Sequence, residues 1–500
     1  MHNLTTQLMY HARVTPGSEA LIYDGTRLSW QALNERVQEI AGGLRAEGIG
    51  PGSIVALMMK NSSAFIELLY AISHLGAVSL PVNYRLSGEE VAYIVDHAGA
   101  DLVIGDTEFA PALASLQQPT VLLDEAAQAD ARGALRGDPV RRVHPRAGED
   151  LFRVMYTSGT TDRPKGVTHS YDNLHYKNMD MVTALQLRAC DRLCMVGPLY
   201  HVGACDLPGL AVHGMGGTLV VLRDFDPKDV VTTIADEKIT GIWLAPVMTS
   251  GILALDRGTL PDLSSLKWCI AGGDRTPQSR IRDFGKVFSS ARYIDAYGMT
   301  ETVSGDTMME PGREIEKIGS VGRPVSMVEL EIRDDAGVAL PPDVSGEICM
   351  RGPKVTRGYW NDPQRSIAAM HPDGFLRSGD VGYLDEDGFL FLTDRKKDMI
   401  ISGGENIASS ELERVIHMIP EVADVAVIAS PDPKWGEVPL AVVVLEPDTS
   451  LDFDQLAGFC REHLAGFKCP KGLRVVDELP RNPSGKILKR VLRDQVLSDT

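Results

Sequence analysis

The chain has 500 residues, 44% hydrophobic and 24% charged. That is ordinary globular composition, which excludes disorder, and the length exceeds what one compact core serves. A formal net charge of −18 argues against nucleic acid, which demands a basic footprint, and obliges any anionic ligand to be held by locally gathered N–H groups, lysines or a divalent cation.

Residues 1–16 mix His, Gln, Arg and Thr with scattered apolar positions, so no leader is expected and the cytoplasm is the default compartment. No stretch approaches the roughly 18 apolar residues of a membrane span. The seven cysteines (Cys190, Cys194, Cys205, Cys269, Cys349, Cys460, Cys469) form no CxxC pair and read as reduced, mostly packed thiols.

In chain order, an apolar run at 54–59 precedes a helix at 63–75, and further strand-like runs follow at 77–80 and 102–104. Residues 125–150 read as a surface connection. Strands then return at 193–196, 218–222, 241–244 and 268–271, which predicts an α/β core. From about residue 320 short Gly- and Asp-rich strands (328–332, 346–350, 388–392) predict a β-rich subdomain. A charged run at 393–397 marks a boundary. Beyond it a helix at 409–418, strands at 423–429 and 441–445 and a helix at 453–464 predict a small α+β module. The expected division is 1–393 and 394–500.

The strongest chemical signal is Tyr156-Thr157-Ser158-Gly159-Thr160-Thr161-Asp162-Arg163-Pro164-Lys165-Gly166. A strand feeds a run of small hydroxyl residues in which successive N–H groups can face one anion, with Ser and Thr donors and the Lys165 charge added. It is not the Walker pattern. Other motifs follow in order: Pro198-Leu-Tyr-His201, Tyr297-Gly298-Met299-Thr300-Glu301, Arg377-Ser-Gly-Asp380, Asp394-Arg395 through Ser402-Gly403-Gly404-Glu-Asn, and Pro480-Arg-Asn-Pro-Ser-Gly-Lys486. Asp380, after a tight Ser-Gly, offers an ionised carboxylate that could accept two vicinal hydroxyls or cap a turn.

Together these segments resemble the adenylate-forming superfamily: acyl- and aryl-coenzyme A synthetases, carrier-loading adenylation domains and firefly luciferase. The resemblance implies a large N-terminal α/β domain with a β-rich subdomain and a small mobile C-terminal α+β domain. It implies an acid–coenzyme A ligase that uses ATP, Mg2+ and coenzyme A and proceeds through an acyl-adenylate. By the same resemblance Thr157, Ser158, Gly159, Thr160, Thr161 and Lys165 hold phosphates, and Asp380 and Arg395 hold the ribose. Gly272, Gly273, Asp274, Asp295, Ala296, Tyr297 and Gly298 surround the adenine. Thr300 meets the α-phosphate, Glu301 binds Mg2+, and Lys486 stabilises the adenylation transition state.

Two half-reactions at one site require two arrangements, and Asp394 matches the family's hinge. Ser402, Gly403, Gly404, Trp435 and Phe467 correspond to coenzyme A contacts. His201 corresponds to a gate between carboxylate and thiol access. The acyl pocket is expected from His201, Val202, Trp243, Met248, Gly272 and Met299, with a medium- or long-chain fatty acid ahead of an aryl acid. Asp206 contacts a polar substituent, faces outward or pairs with a base. Three departures stand out: Asp162 where the family has Gly, Asp295 where an amide is usual, and Cys469 where some relatives carry a basic residue. Carrier-protein loading, a luciferase-like oxygenase and a binding protein retaining the fold remain the alternatives. The expected partners are small molecules, with a homodimer the one protein assembly considered.

Overall fold

The computed structural model describes residues 3–157, 163–272, 278–395, 398–402, 405–466, 468–481 and 487–498. The chain divides into two compact units, one of Met1–Leu330 with Met350–Leu376, the other of Glu331–Cys349 with Arg377–Thr500. It is a mixed α/β fold.

The first unit carries two large sheets. One has six strands in the order Thr120–Leu123, Leu102–Asp106, Ile54–Met58, Val78–Pro81, Leu151–Thr157, Lys165–Ser170. All pairs are parallel except the last, a hairpin. The apolar runs at 54–58, 78–81 and 102–106 are buried at every position, as expected of parallel strands covered on both faces. The helix Ser63–His74 is buried along its whole length and starts where the Ser62 side chain accepts from the Phe65 N–H.

The other sheet has nine strands. Its parallel centre runs Arg292–Tyr297, Trp268–Ala271, Gly241–Leu244, Arg192–Met195, Thr218–Val221, Glu19–Tyr23, and short antiparallel strands close each edge. A core of Ile242, Leu244, Cys269, Ala271, Phe284 and Phe288 packs beneath it, its Ile, Leu and Phe side chains each worth about 1.5–3 kcal/mol when fully buried.

In the second unit, strands Leu376–Leu384 and Leu390–Arg395 pair antiparallel within a four-stranded sheet. A separate sheet is built on the long hairpin Val422–Asp432 and Gly436–Leu445, covered by helices Ser409–Ile416 and Phe453–His463. The predicted strand at 388–392 runs instead from Leu390 to Arg395, so the charged stretch that looked like an interruption begins inside a strand. Within 125–150, expected to be a plain surface connection, a helix Glu125–Ala129 forms and buries Ala127 and Gln128. Its N-cap is Asp124, whose carboxylate accepts from the Ala127 N–H. All seven cysteines are free, Cys190 exposed and the others buried. Among the described residues no helix is long and apolar enough to cross a membrane.

Candidate active site

The strands on either side of the hydroxyl-rich motif, Leu151–Thr157 and Lys165–Ser170, form a hairpin. Thr157 and Lys165 are register partners at the ends of its two strands, so they stand opposite each other at its mouth. The Thr157 hydroxyl is buried without a hydrogen-bond partner, an orphaned oxygen that suits a ligand. Lys165 Nζ donates to Glu301 Oε1 at 2.7 Å and to the Tyr359 hydroxyl at 2.8 Å, and lies 4.4 Å from the centre of the Tyr359 ring. Tyr359 in turn donates to Glu301 Oε1 at 2.9 Å. Burial first, then the Glu301 charge, pushes the Tyr359 phenol up, which keeps it a donor. A small cavity beside Lys165 is lined also by Arg163, Tyr359 and Arg365.

Glu301 is only 3% exposed and sits in a short 3-10 turn, Thr300–Thr302. The chain then takes three consecutive left-handed residues: Val303 (φ 57°), Ser304 (68°) and Gly305 (70°). A β-branched residue there is strained, and the surroundings hold it. Thr302 Oγ1 donates to Asp306 at 2.5 Å, the Thr356 N–H donates to the Glu301 carbonyl at 2.7 Å, and buried Lys354 donates to the Gly305 carbonyl at 2.6 Å. Gly298 is obligatory, because a Cβ there would lie 2.3 Å from the Gly305 nitrogen.

The adenine-side residues expected from the sequence gather at two neighbouring strand ends. Asp295 is paired in register with Ala271, and a Cβ on Gly272 would stand 3.0 Å from the Ala296 carbonyl oxygen. Ala296 and Tyr297 are buried on the same strand, while Met299 caps the turn that carries Thr300.

On the acyl side, His201 Nδ1 accepts from the Gly203 N–H at 3.1 Å, capping the short helix that holds Val202. Its ring centre lies 6.5 Å from that of Trp243. Trp243 is wedged against two glycines, since a Cβ on Gly197 or Gly203 would come within 2.6 or 2.9 Å of the indole. Met248 packs on the core below. Of the three readings of Asp206, pairing with a base holds and facing outward does not: it is fully buried and bound to Arg153 by two hydrogen bonds, 3.1 and 2.6 Å.

In the second unit Asp380 and Arg395 are cross-strand register partners, so the two expected ribose residues are brought together. Left-handed Gly379 (φ 74°) shapes the turn, and Ser378 Oγ accepts from the Asp380 N–H. Asp394 accepts from the N–H and hydroxyl of Ser409, at 2.5 and 2.7 Å. Ser402 is in register with Gly436, next to Trp435, which is 46% exposed under the Lys434 ammonium. Ser158, Gly159, Thr160, Thr161, Asp162, Gly273, Asp274, Gly403, Gly404, Phe467 and Lys486 lie outside the described residues.

The AMP-binding enzyme model matches residues 8–360, and its C-terminal domain model residues 411–486. The chain belongs to the AMP-binding enzyme family. A feruloyl-CoA synthase of an Amycolatopsis species is 37% identical over 96% of both chains. A long-chain-fatty-acid–CoA ligase of Mycobacterium tuberculosis is 33% identical over 99% of both. The o-succinylbenzoate CoA synthetase of Bacillus subtilis, solved with its acyl-adenylate intermediate, superposes with a TM-score of 0.88 at 30% identity over 98% of both chains. This AMP-binding enzyme is thus an acid–coenzyme A ligase of the adenylate-forming superfamily, a class that works with ATP, Mg2+ and coenzyme A.

The residues present suit Mg2+. Lys165 and Tyr359 both donate to Glu301 Oε1, and one further carboxylate oxygen is enough for a hard cation that keeps several waters and is shared with phosphates. Among the described residues no cluster of three or more His, Cys, Asp or Glu could hold a metal by protein ligands alone.

Tyr359, His169, Arg153 and Lys354 were not singled out by sequence reasoning. Tyr359 had a signal, the Arg357-Gly-Tyr-Trp segment that returns to pair with the hairpin strand. Tyr359→Phe removes a donor to Glu301 while keeping the ring under Lys165. We expect it to weaken catalysis about tenfold, below the roughly 10²–10³ of losing a donor to the reacting oxygen itself because Tyr359 acts through Glu301, measured as pyrophosphate release across a Mg2+ titration. Gly298→Ala should abolish activity and lower Tm by several degrees in a thermal melt, since the turn must open to admit the methyl.

Proposed function

We propose that the enzyme activates an aryl or arylalkenyl carboxylic acid in two steps, carboxylate attack on the α-phosphate followed by transfer of the acyl group to the thiol of coenzyme A. The observation that carries the aryl reading is Trp243. Its indole is packed against Gly197 and Gly203 beside His201, so the segment expected to wall the acyl site is filled by a flat ring. A wall of that kind favours a planar acid over a long flexible chain, which needs an open tunnel. This reverses the preference for a fatty acid expected from the sequence. The similarity to a feruloyl-CoA synthase supports it, and the fatty-acid ligase relative keeps a chain acid as the second reading.

In the first step Thr157 and Lys165 receive the phosphates at the hairpin mouth. Lys165 carries the positive charge that a protein of net charge −18 must concentrate locally. Thr300 offers its hydroxyl to the α-phosphate, and Glu301 supplies the protein oxygen for Mg2+, which neutralises charge on the phosphates when bound. Asp380 and Arg395 hold the ribose, and Lys486 approaches the α-phosphate, where charge accumulates in the transition state. For the second step the Lys486 side must withdraw, with Asp394 as the pivot, and Ser402 and Trp435 take coenzyme A. His201 is the gate in this scheme, and its Nδ1 bond to the Gly203 N–H is the anchor about which the ring would have to turn.

A panel of benzoates, hydroxycinnamates and C6–C18 fatty acids, assayed for pyrophosphate with and without coenzyme A, checks this directly. Hydroxycinnamates or benzoates should head the panel, and thioester should form. Pyrophosphate without thioester would point to carrier loading, and the best rates on C12 or longer acids would sink the aryl reading. Trp243→Ala should move the optimum toward longer or bulkier acids by about tenfold in kcat/KM, the scale of one to a few methylenes in a pocket. Lys486→Ala should abolish acid-dependent pyrophosphate release yet convert supplied acyl-adenylate to thioester, and equal loss of both halves would refute its assignment to the first.

A further inference from the structure

Behind the site runs a chain of buried polar groups that the reaction scheme does not use. Arg153, 1% exposed, lies in the middle of the strand Leu151–Thr157. On one side it clamps the Asp206 carboxylate. On the other its Nε and Nη2 reach His169 Nδ1 at 3.3 and 3.1 Å. A guanidinium can only donate, so Nδ1 is the acceptor and the imidazole proton sits on Nε2. That nitrogen lies 2.6 Å from the Thr300 carbonyl oxygen and donates to it. Burial, and then the Arg153 charge, push His169 down to about 3, which keeps the ring neutral with that proton in place.

The other end of the chain is equally tied down. The buried Lys177 ammonium donates to the Asp206 carbonyl. One helical turn further along the same helix, Asp180 receives Ser326 Oγ and the Met327 N–H, both at 2.9 Å, and faces the Lys354 ammonium at 3.6 Å. Lys354 holds the left-handed turn after Glu301. Arg153, Lys177 and Lys354 balance Asp206, Asp180 and Asp306 inside the fold. A buried network of this kind is stable only while every member is satisfied, so displacing one member is felt by the others.

We propose that His169 is a positioning residue: by accepting from Arg153 and donating to the Thr300 carbonyl, it ties the acyl-side segment at Asp206 to the Thr300–Glu301 turn, so that acid binding and nucleotide–metal binding strengthen each other. The inference rests on the assignment of these two segments to acid and to nucleotide made above. It assigns no chemistry to His169, which touches neither reacting group. The bridge is short, neutral and specific in polarity: one acceptor, one donor, on opposite sides of a planar ring.

That polarity makes it testable. Glutamine is planar and carries an acceptor and a donor, so His169→Gln can rebuild both bonds, whereas His169→Leu keeps volume and loses both. The affinity of Mg2+ with α,β-methylene-ATP is measured by calorimetry with and without the best acid of the panel, beside kcat, KM for acid and Tm. We expect acid to tighten nucleotide binding in the wild type by at least about fivefold, the low end of ordinary coupling. In His169→Leu the factor should fall to near one, with KM for both substrates raised, while His169→Gln stays within about threefold of wild type on the same scale. Asp206→Asn, which weakens the far end of the bridge while leaving the nucleotide side intact, should also reduce the factor, and it serves if His169→Leu does not fold. A wild-type factor of one, an undiminished factor in His169→Leu or Asp206→Asn, or a His169→Gln protein of normal Tm as impaired as His169→Leu overturns the inference. A wild type that binds nucleotide and acid with coupling but releases no pyrophosphate would sink the functional reading and leave the bridge standing.

Discussion

The site depends on the turn from Gly298 to Asp306 keeping its left-handed course. Two non-glycine residues there, Val303 and Ser304, sit in a backbone region that costs about 1–3 kcal/mol each. The strain persists because the turn is held from three sides: Thr302 on Asp306, Thr356 on the Glu301 carbonyl, and the Lys354 ammonium on the Ser304 and Gly305 carbonyls. Hydrogen bonds to a charged group contribute about 1.5–3 kcal/mol apiece, so Lys354 alone offsets most of the strain. Without that hold Glu301 would swing out of the wall it shares with Lys165 and Tyr359.

The acidity of the whole protein is met by geometry rather than by net charge. The Lys165 ammonium stands between an acid and a phenol. In the proposed scheme, phosphates brought to that lysine replace one anionic partner by another and leave the Glu301 oxygen to a cation. The orphaned Thr157 hydroxyl at the hairpin mouth is a donor that need not be stripped of an internal partner.

How much of this was legible in the sequence follows from the range of each interaction. Buried parallel strands were readable because a run such as Ile54–Met58 is apolar at every position and is bounded by turn residues. The strand at 151–157 was readable from its apolar run, whereas the return strand Lys165–Ser170 that makes it a hairpin was not. Asp380 and Arg395 were matched to the ribose by the family resemblance alone, and their cross-strand register was not foreseen. Lone polar residues inside apolar elements were not readable. Arg153 finds its acid 53 positions away and Lys165 finds Tyr359 at a separation of 194, and nothing local announces either partner. His169 carried no signal of its own, although its ring bonds on both sides. Asp206 was left between readings because burial, not residue type, decides them.

The anchorage of Asp394 constrains any rotation assigned to it. Its carboxylate holds the first N–H of the helix Ser409–Ile416, and Lys489 braces the same Ser409 hydroxyl at 2.6 Å while also pairing with Glu413. A residue that is at once a strand end and a helix cap cannot act as a loose link. If those bonds persist through a backbone change at Asp394, the helix must turn with it, and its apolar face, Leu412, Val415 and Ile416, packs on Val425, Val427, Ala441 and Val443 of the long hairpin. The rotating body would then be that helix and its sheet as one rigid piece, because separating them would expose a core that no single pivot could compensate.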